Sequence, residues 1–215
     1  MRTDYGRCAP RRGLSWRRVR NSYLLGEGRL KPIYFMSITA FIVKVPEAEH
    51  VVGELRDRFD ATARLAAPAH ITVLFPFMSP GEITSVVIHL AQAAVDTVSS
   101  FVFSLEEIGR FPATTYLSPD PPDPFVSLTK ALIQRFPMFL PYGGAHEGIV
   151  PHLTVAHGDA LNARAVELEL ERRLRLCRPI RATCNAVTLI ENSSGLWKEM
   201  HVFDLRAARR DVAPA

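Results

Sequence analysis

From residue 36 onward, polar and apolar residues recur with periods that predict strands and helices in turn. The run S-I-T-A-F-I-V-K-V predicts a strand at 37–45, and Pro46 then begins an amphipathic helix that extends to about residue 60. The β-rich run P-A-H-I-T-V-L-F-P-F follows, and S-P-G-E begins a second helix that extends to about residue 98. This part of the chain therefore has the order strand, helix, strand, helix.

The remainder of the chain repeats this order in part. F-V-F-S-L-E-E-I and T-T-Y-L predict a hairpin around Gly109–Ala113, and a Pro-rich loop leads into a third helix at 124–136. The pattern then predicts a strand in P-H-L-T-V-A-H, a helix at 160–176 and two strands at 181–191 and 196–205. Two such passes indicate an internal duplication. We predict an α+β fold in which two pseudo-symmetric lobes have antiparallel sheets, outer helices and a cleft between them.

Each of the two passes contains one short strand of the form H-φ-T-V, where φ is an aliphatic residue. The first, H-I-T-V, occupies residues 70–73, and the second, H-L-T-V, occupies residues 152–155. Side chains two residues apart in a strand project from the same face, so each motif offers one imidazole and one hydroxyl to one surface. If the two strands meet across a pseudo-twofold axis, two imidazoles and two hydroxyls surround one cleft.

Such a cleft suits the cleavage of phosphodiesters. The unperturbed pKa of histidine, about 6.5, allows one ring to act as a neutral base and the other as a charged acid near pH 7. One ring would deprotonate the attacking water or ribose hydroxyl, and the other would protonate the departing oxygen. The threonine hydroxyls would hold the non-bridging phosphate oxygens. We therefore predict a metal-independent phosphodiesterase with the catalytic residues His70, Thr72, His152 and Thr154.

With these two motifs and the strand and helix order around them, the chain resembles the two-histidine (2H) phosphoesterase superfamily. The resemblance is to the branch called the 2′-5′ RNA ligase family and covers about residues 36–206. It implies that the motifs face each other in a bilobal cleft and that the same four residues are catalytic. It also implies metal-free action on 2′,3′-cyclic phosphates, 2′-5′ linkages or related cyclic nucleotide phosphates. We accordingly expect no cofactor.

The chain departs from the family pattern just after the second motif. Many RNA-processing members carry an arginine there, whereas this chain has Ala156-His157. We take His157 as a candidate for a weaker, pH-dependent phosphate contact, and an ordinary loop histidine is the alternative. A zinc site of His146, His152 and His157 is also conceivable. The sequence has no H-E-x-x-H pattern and no supporting cysteine cluster, so we predict no metal.

Aromatic residues near the motifs are candidates for stacking against a base. Tyr142 is the first choice for substrate binding, because its loop, P-Y-G-G, lies shortly before the second motif and could fold over the cleft. The other candidates are Phe75, Phe77, Tyr116 and Trp197. Packing in the core is the alternative interpretation for each of them.

Positive charge is concentrated near the start of the chain. Residues 1–36 contain nine Lys or Arg against two acidic residues, a net charge of +7, which leaves −3 for the remainder of a chain whose total is +4. We predict a disordered basic tail at 1–35 and a single domain at 36–210. The tail could be an RNA-contacting arm, an organelle-targeting presequence or an artefact of the start site, since Met36 directly precedes the first predicted strand.

The remaining composition indicates a soluble, cytoplasmic protein. The three cysteines form no C-x-x-C pair or disulfide framework, and the apolar runs are far shorter than the roughly 20 residues that cross a bilayer. We expect a monomer that binds no membrane and acts on an RNA end or a small cyclic nucleotide phosphate. Two other functions stay open, a non-catalytic nucleotide- or phosphate-binding module on the same fold and an RNA-binding protein that uses the basic tail.

Overall fold

The structure is a computed structural model, and it describes residues 37–145, 148–177 and 179–207. The predicted basic tail at 1–35 and the loop residue His146 lie outside these ranges. No helix within the ranges is long and apolar enough to span a bilayer.

Eight strands form one antiparallel sheet in the described residues. They are β1 (Thr39–Lys44), β2 (His70–Leu74), β3 (Phe101–Phe111), β4 (Thr114–Asp120), β5 (Leu153–His157), β6 (Ile180–Cys184), β7 (Ala186–Glu191) and β8 (Lys198–Asp204). Their order is β6-β3-β4-β5-β2-β1-β7-β8, so β2 and β5 are the central strands. The predicted α+β class with antiparallel pairing is confirmed. The division into two lobes stays a prediction, because the strands form one continuous sheet.

Five α-helices connect these strands in the described residues. They are α1 (Glu49–Phe59), α2 (Ala61–Arg64), α3 (Ser85–Val95), α4 (Asp123–Arg135) and α5 (Ala160–Leu176). The predicted helix at S-P-G-E begins later than expected, because Pro80–Glu82 forms a separate 3-10 turn. Helix α3 starts after Thr84, whose hydroxyl accepts a hydrogen bond from the Val87 N–H and so caps the first turn.

The prediction of one strand at 181–191 is wrong. The segment consists of β6 and β7, which Asn185 separates; β6 pairs with β3, whereas β7 lies between β1 and β8. Cys184 is buried, and the next buried residue is Val187, three positions later. In a single strand with one buried face, buried residues are separated by an even number of positions, so the chain must break between these two. The Ser100 N–H donates to the Arg206 carbonyl, so the start of β3 and the segment after β8 approach each other and the sheet is curled.

The apolar faces of the helices pack against one face of the sheet. The core includes Phe41, Ile71 and Leu153 from the strands and Val52 and Leu55 from α1, each at most 2% exposed. Full burial of one such side chain stabilises the fold by about 1.5–3 kcal/mol. Because side chains alternate along a strand, the histidine and threonine side chains of the motifs point to the opposite face, where they stay partly exposed.

Candidate active site

The two motifs lie side by side at the centre of the sheet. Strands β2 and β5 pair in antiparallel direction through Ile71 and Leu153, whose side chains point into the core. The histidine and threonine of each motif flank these positions and point to the open face. The structure thus brings the four predicted catalytic side chains to one surface. Since the strands run in opposite directions, the order of histidine and threonine along this surface is reversed between the motifs.

The ring of His70 is fixed by its own backbone. Its Nδ1 donates to the Pro68 carbonyl oxygen (2.7 Å), which can only accept, so the neutral ring keeps its proton on Nδ1 and a lone pair on Nε2. Burial lowers the pKa of His70 to about 4, although the Pro68 contact raises it. The nearby charges of Arg56 and His152 also lower this pKa, and that of Asp60 raises it. His70 is therefore neutral at pH 7.

His152 has the same local geometry and different surroundings. Its Nδ1 donates to the Val150 carbonyl oxygen (2.7 Å), again two residues before the histidine. Its ring packs against Phe111 and Tyr116, with centroid distances of 5.3 and 5.1 Å. Phe111 was not identified from the sequence, because its contact with His152 depends on how β3, β4 and β5 pair. Both motifs thus present a ring with its proton held on Nδ1.

Tyr116 reaches His152 because the neighbouring strand has a glycine opposite it. Gly109 pairs with Tyr116, and a Cβ atom at position 109 would lie 2.2 Å from the tyrosine ring. The ring therefore crosses β3 where only glycine leaves room. Burial and the charge of Glu107 raise the pKa of Tyr116, which keeps its hydroxyl protonated at pH 7. The sequence pattern placed Gly109 in the hairpin turn, whereas it lies within β3, Phe101–Phe111.

Tyr142 contacts the first motif through its hydroxyl. The P-Y-G-G loop forms a 3-10 turn at Pro141–Gly144 in which Tyr142 has a left-handed backbone (φ 52°), and its N–H donates to the Phe75 carbonyl. The tyrosine hydroxyl is hydrogen-bonded to Thr72, a contact that lowers the pKa of Tyr142, whereas burial raises it by more. The structure therefore places Tyr142 at Thr72, in the first motif.

A second group of aromatic rings lies beside the first motif. Phe75 lies 6.5 Å from Tyr142 and 6.3 Å from Trp197 between ring centroids. Phe75 and Trp197 also pack against a small apolar cluster on the open face, which contains Ala40, Ile42 and Ile190. We call Phe75, Tyr142 and Trp197 the first aromatic group and Phe111 with Tyr116 the second aromatic group.

Of the five aromatic candidates from the sequence, Phe77 belongs to neither group. It is 3% exposed and packs in the main core against Phe41 and Phe136, so the core interpretation holds for it. Phe75, two positions earlier, packs on the open face, so simple alternation along the strand does not predict the position of Phe77.

A β-bulge places His157 on the same face as Thr154. Thr154 pairs with Tyr116 of β4 and Ala156 with Thr115, so Val155 is the extra residue and both Val155 and Ala156 are buried in the core. His157 pairs with Thr114 and has returned to the open face. Its Nδ1 is hydrogen-bonded to the Thr114 hydroxyl (2.8 Å), and its ring is exposed at the end of β5.

Metal ligands were also considered for the site. The described part of the chain contains no group of three or more His, Cys, Asp or Glu that could hold a metal ion. In the zinc arrangement considered from the sequence, His146 lies outside that part, and the Nδ1 atoms of His152 and His157 are already bonded to protein oxygens. The open face of the two motifs carries two imidazole rings and two threonine hydroxyls.

The comparisons with known proteins identify a family for this chain. A model of the 2′-5′ RNA ligase superfamily matches residues 44–196, a span that includes both motifs. A comparison with the curated proteins finds no match.

Several solved structures have a similar fold. E. coli LigT complexed with 3′-AMP has 15% identity and a TM-score of 0.50, with 79% of this chain and 98% of that chain covered. TT0787 of Thermus thermophilus has 16% identity and a TM-score of 0.53, with 80% and 100% covered. A structure described as a phosphoesterase has 16% identity and a TM-score of 0.51, with 79% and 99% covered. Because the family model spans more than half of the chain, this protein belongs to the 2′-5′ RNA ligase superfamily of two-histidine phosphoesterases.

Proposed function

We propose that the protein is a metal-independent phosphodiesterase that acts on a 2′,3′-cyclic phosphate or a 2′-5′ phosphodiester, at an RNA end or in a small nucleotide. The observation that carries this proposal is the pair of imidazoles on one face of two adjoining strands. Each ring has its Nδ1 proton bound to a backbone carbonyl, so the proposed proton transfers use Nε2. Membership of a family of two-histidine phosphoesterases supports the reaction class.

His70 is the general base in this proposal. Its pKa of about 4 keeps Nε2 unprotonated at pH 7, so it can accept the proton of the attacking water. A bound phosphate brings negative charge to the ring, which raises the pKa and makes His70 a stronger base when the substrate is present.

His152 is the general acid. As the water oxygen bonds to phosphorus, the bond from phosphorus to the departing ribose oxygen breaks, and protonated His152 donates its Nε2 proton to that oxygen. After product release, the proton that His70 accepted passes to solvent and His152 takes one from solvent, so both rings return to their starting states. Each general acid–base step of this kind contributes about 10²–10⁴ in rate.

The hydroxyls of Thr72 and Thr154 hold the non-bridging phosphate oxygens. Negative charge on these oxygens must be stabilised in the transition state, and a fixed hydroxyl donor is effective because it needs no reorientation. The Tyr142 hydroxyl, bonded to Thr72, fixes the direction in which the Thr72 hydroxyl donates. Tyr142 thus takes part in substrate binding through Thr72.

The groups beyond the phosphate bind to the aromatic side chains. A base that stacks on either aromatic group gains about 1–3 kcal/mol, without much dependence on which base it is. His157 lies farther along β5 on the same face and is available for an anionic oxygen beyond the scissile phosphate. The 3′-AMP bound to E. coli LigT, a protein of similar fold, is in keeping with a nucleotide ligand.

The test is turnover in EDTA with 2′,3′-cyclic nucleotides, a 2′-5′ dinucleotide and an oligonucleotide that ends in a cyclic phosphate. Phosphorus NMR reads which P–O bond breaks. We expect turnover by the wild type and loss of about 10²–10⁴ in His70→Ala and in His152→Ala. His89→Ala is the matched control, because His89 is exposed on α3. Turnover that survives both motif substitutions contradicts the mechanism, and tight binding without turnover supports a binding module instead.

A further inference from the structure

The backbone just before His70 is held by side chains of α1. Arg56 donates through Nη2 to the Ala67 carbonyl (3.2 Å), and the Ala69 N–H donates to Glu49 Oε1 (2.6 Å). Between these two residues lies Pro68, whose carbonyl oxygen accepts the Nδ1 proton of His70. The acceptor that fixes the His70 ring is thus held on both sides by one helix.

Arg56 is itself held in a buried ionic cluster. Arg56 and Asp60 are each 2% exposed, and their Nη2 and Oδ2 atoms are 3.2 Å apart. Asp60 also accepts from the Thr62 N–H and hydroxyl, and Arg56 Nη1 lies 3.8 Å from Glu49 Oε1. The Arg56 Nε atom is buried with no hydrogen-bond acceptor among the described residues. A buried ion pair with an unsatisfied N–H adds little to the free energy of unfolding, because the cost of desolvating the charges offsets most of their Coulomb attraction.

The position of this cluster gives it an electrostatic connection to the active site. The positive charge of Arg56 opposes protonation of His70, and the negative charge of Asp60 favours it. His152, the other charged group that acts on His70, belongs to the second motif. The segment before His152 is held differently. Among the described residues, no helix side chain is hydrogen-bonded to residues 148–151, and the Val150 carbonyl accepts from His152 itself.

We infer that Arg56 is a positioning residue for His70. Together with Asp60 and Glu49, it fixes the Ala67–Ala69 segment, so that the Pro68 carbonyl holds the His70 ring in its Nδ1–H form with Nε2 available. The kinetic consequence rests on the proposed function, whereas the geometric consequence does not. The cluster thus holds the His70 ring with Nε2 as the proton acceptor, and the described residues around His152 contain no such cluster.

The first test measures His70 directly and needs no substrate. Proton–nitrogen NMR of the imidazole rings reports the tautomer and the pKa of His70, with His152 as an internal control. In Arg56→Gln we expect the pKa of His70 to rise and the population of its Nδ1–H tautomer to fall, while the tautomer of His152 stays unchanged. Arg58→Gln is the matched control, because Arg58 lies on the same helix with its side chain 64% exposed.

Two further variants separate charge from geometry. Arg56→Lys keeps the positive charge but loses the planar guanidinium and its fixed N–H donors. We therefore expect the pKa of His70 to stay low and its two tautomers to be mixed. Glu49→Ala removes the acceptor of the Ala69 N–H and leaves the Arg56–Asp60 pair intact, which keeps the inference testable if Arg56→Gln does not fold. Near-ultraviolet circular dichroism identifies the folded variants.

The second test is kinetic. In folded Arg56→Gln or Glu49→Ala we expect kcat to fall about 10–100-fold with KM almost unchanged, because a misplaced base slows the chemical step more than binding. Folded variants that keep the wild-type His70 tautomer, pKa and kcat overturn the inference. If the wild type turns over none of the substrates, the proposed function fails, and the NMR result still decides whether Arg56 positions His70.

Discussion

The two motif segments share one local geometry but differ in what surrounds them. In both, the histidine Nδ1 donates to the carbonyl two residues earlier. Before His70, that carbonyl lies in a segment bound to the buried Arg56 cluster of α1. His152 instead packs against the second aromatic group, Phe111 and Tyr116.

This difference shows how two segments with nearly the same motif sequence can have different surroundings. The repeated sequence sets the tautomer of each ring through contacts within a few residues. Long-range contacts then distinguish the rings, because burial and the charge of Arg56 keep His70 neutral. In our proposal this makes His70 the base and leaves His152 as the acid, an assignment that can be tested one ring at a time.

The largest expected effect comes from changing the leaving group. A nucleoside 4-nitrophenyl phosphodiester releases a phenolate that needs no proton, so the general acid becomes dispensable. On this substrate we expect His152→Ala to lose less than about 10-fold in kcat, while His70→Ala still loses about 10²–10⁴. The release of nitrophenolate, followed by its absorbance, measures both. The opposite ranking of the two variants would reverse the assignment of base and acid.

The next effect is on stability and concerns the second motif only. Gly109→Ala places a Cβ 2.2 Å from the Tyr116 ring, so the ring must move away from β3 and from His152. Overpacking of this kind costs about 1–3 kcal/mol in the free energy of unfolding, which urea unfolding measures. Gly81→Ala is the matched control, because nothing lies within 4 Å of its added Cβ. Equal stabilities of the two variants would contradict the close contact.

The strands and helices that are marked by a regular spacing of apolar residues could be predicted from the sequence. The faces of both motif strands followed from side-chain alternation, and the helix predicted at 160–176 matches α5, Ala160–Leu176. The pairing of strands could not be read in this way, because hydrogen bonds in a sheet join residues far apart in the chain. The break at Asn185 is an example, since neither glycine nor proline marks it and only the phase of burial changes.

The parts of the site that the sequence did not reveal are also long-range. Arg56 belongs to an ordinary amphipathic helix pattern, and nothing local shows that its side chain turns inward to the Ala67 carbonyl. An ordinary loop histidine was the alternative for His157. Simple alternation does not predict the bulge at Val155, which places His157 on the open face. Phe111 became part of the site because the pairing of β3, β4 and β5 brings its ring to His152.

A smaller effect on stability distinguishes the first motif by its pH dependence. The folded pKa of His70, about 4, lies below the ordinary value of 6.5, so between these pH values the unfolded chain binds more protons at this site. The free energy of unfolding therefore falls as pH decreases through this window, by about 1–2 kcal/mol once partial exposure is taken into account. We expect His70→Gln to lose this slope and His89→Gln, on an exposed face of α3, to keep it. Urea unfolding at pH 7 and pH 4.5 measures the difference.

The smallest effect compares two tyrosines that contact different motifs through different atoms. Tyr142 is bonded to Thr72 through its hydroxyl, whereas Tyr116 contacts His152 through its ring. Removal of one hydrogen-bonding hydroxyl costs about 0.5–1.5 kcal/mol, so Tyr142→Phe should lower kcat about 3–10-fold while Tyr116→Phe stays near the wild type. Steady-state kinetics on one substrate measures both variants. Tyr116→Phe removes the same atom and is the matched control. Wild-type activity of Tyr142→Phe would show that the Tyr142 hydroxyl does not orient the phosphate through Thr72.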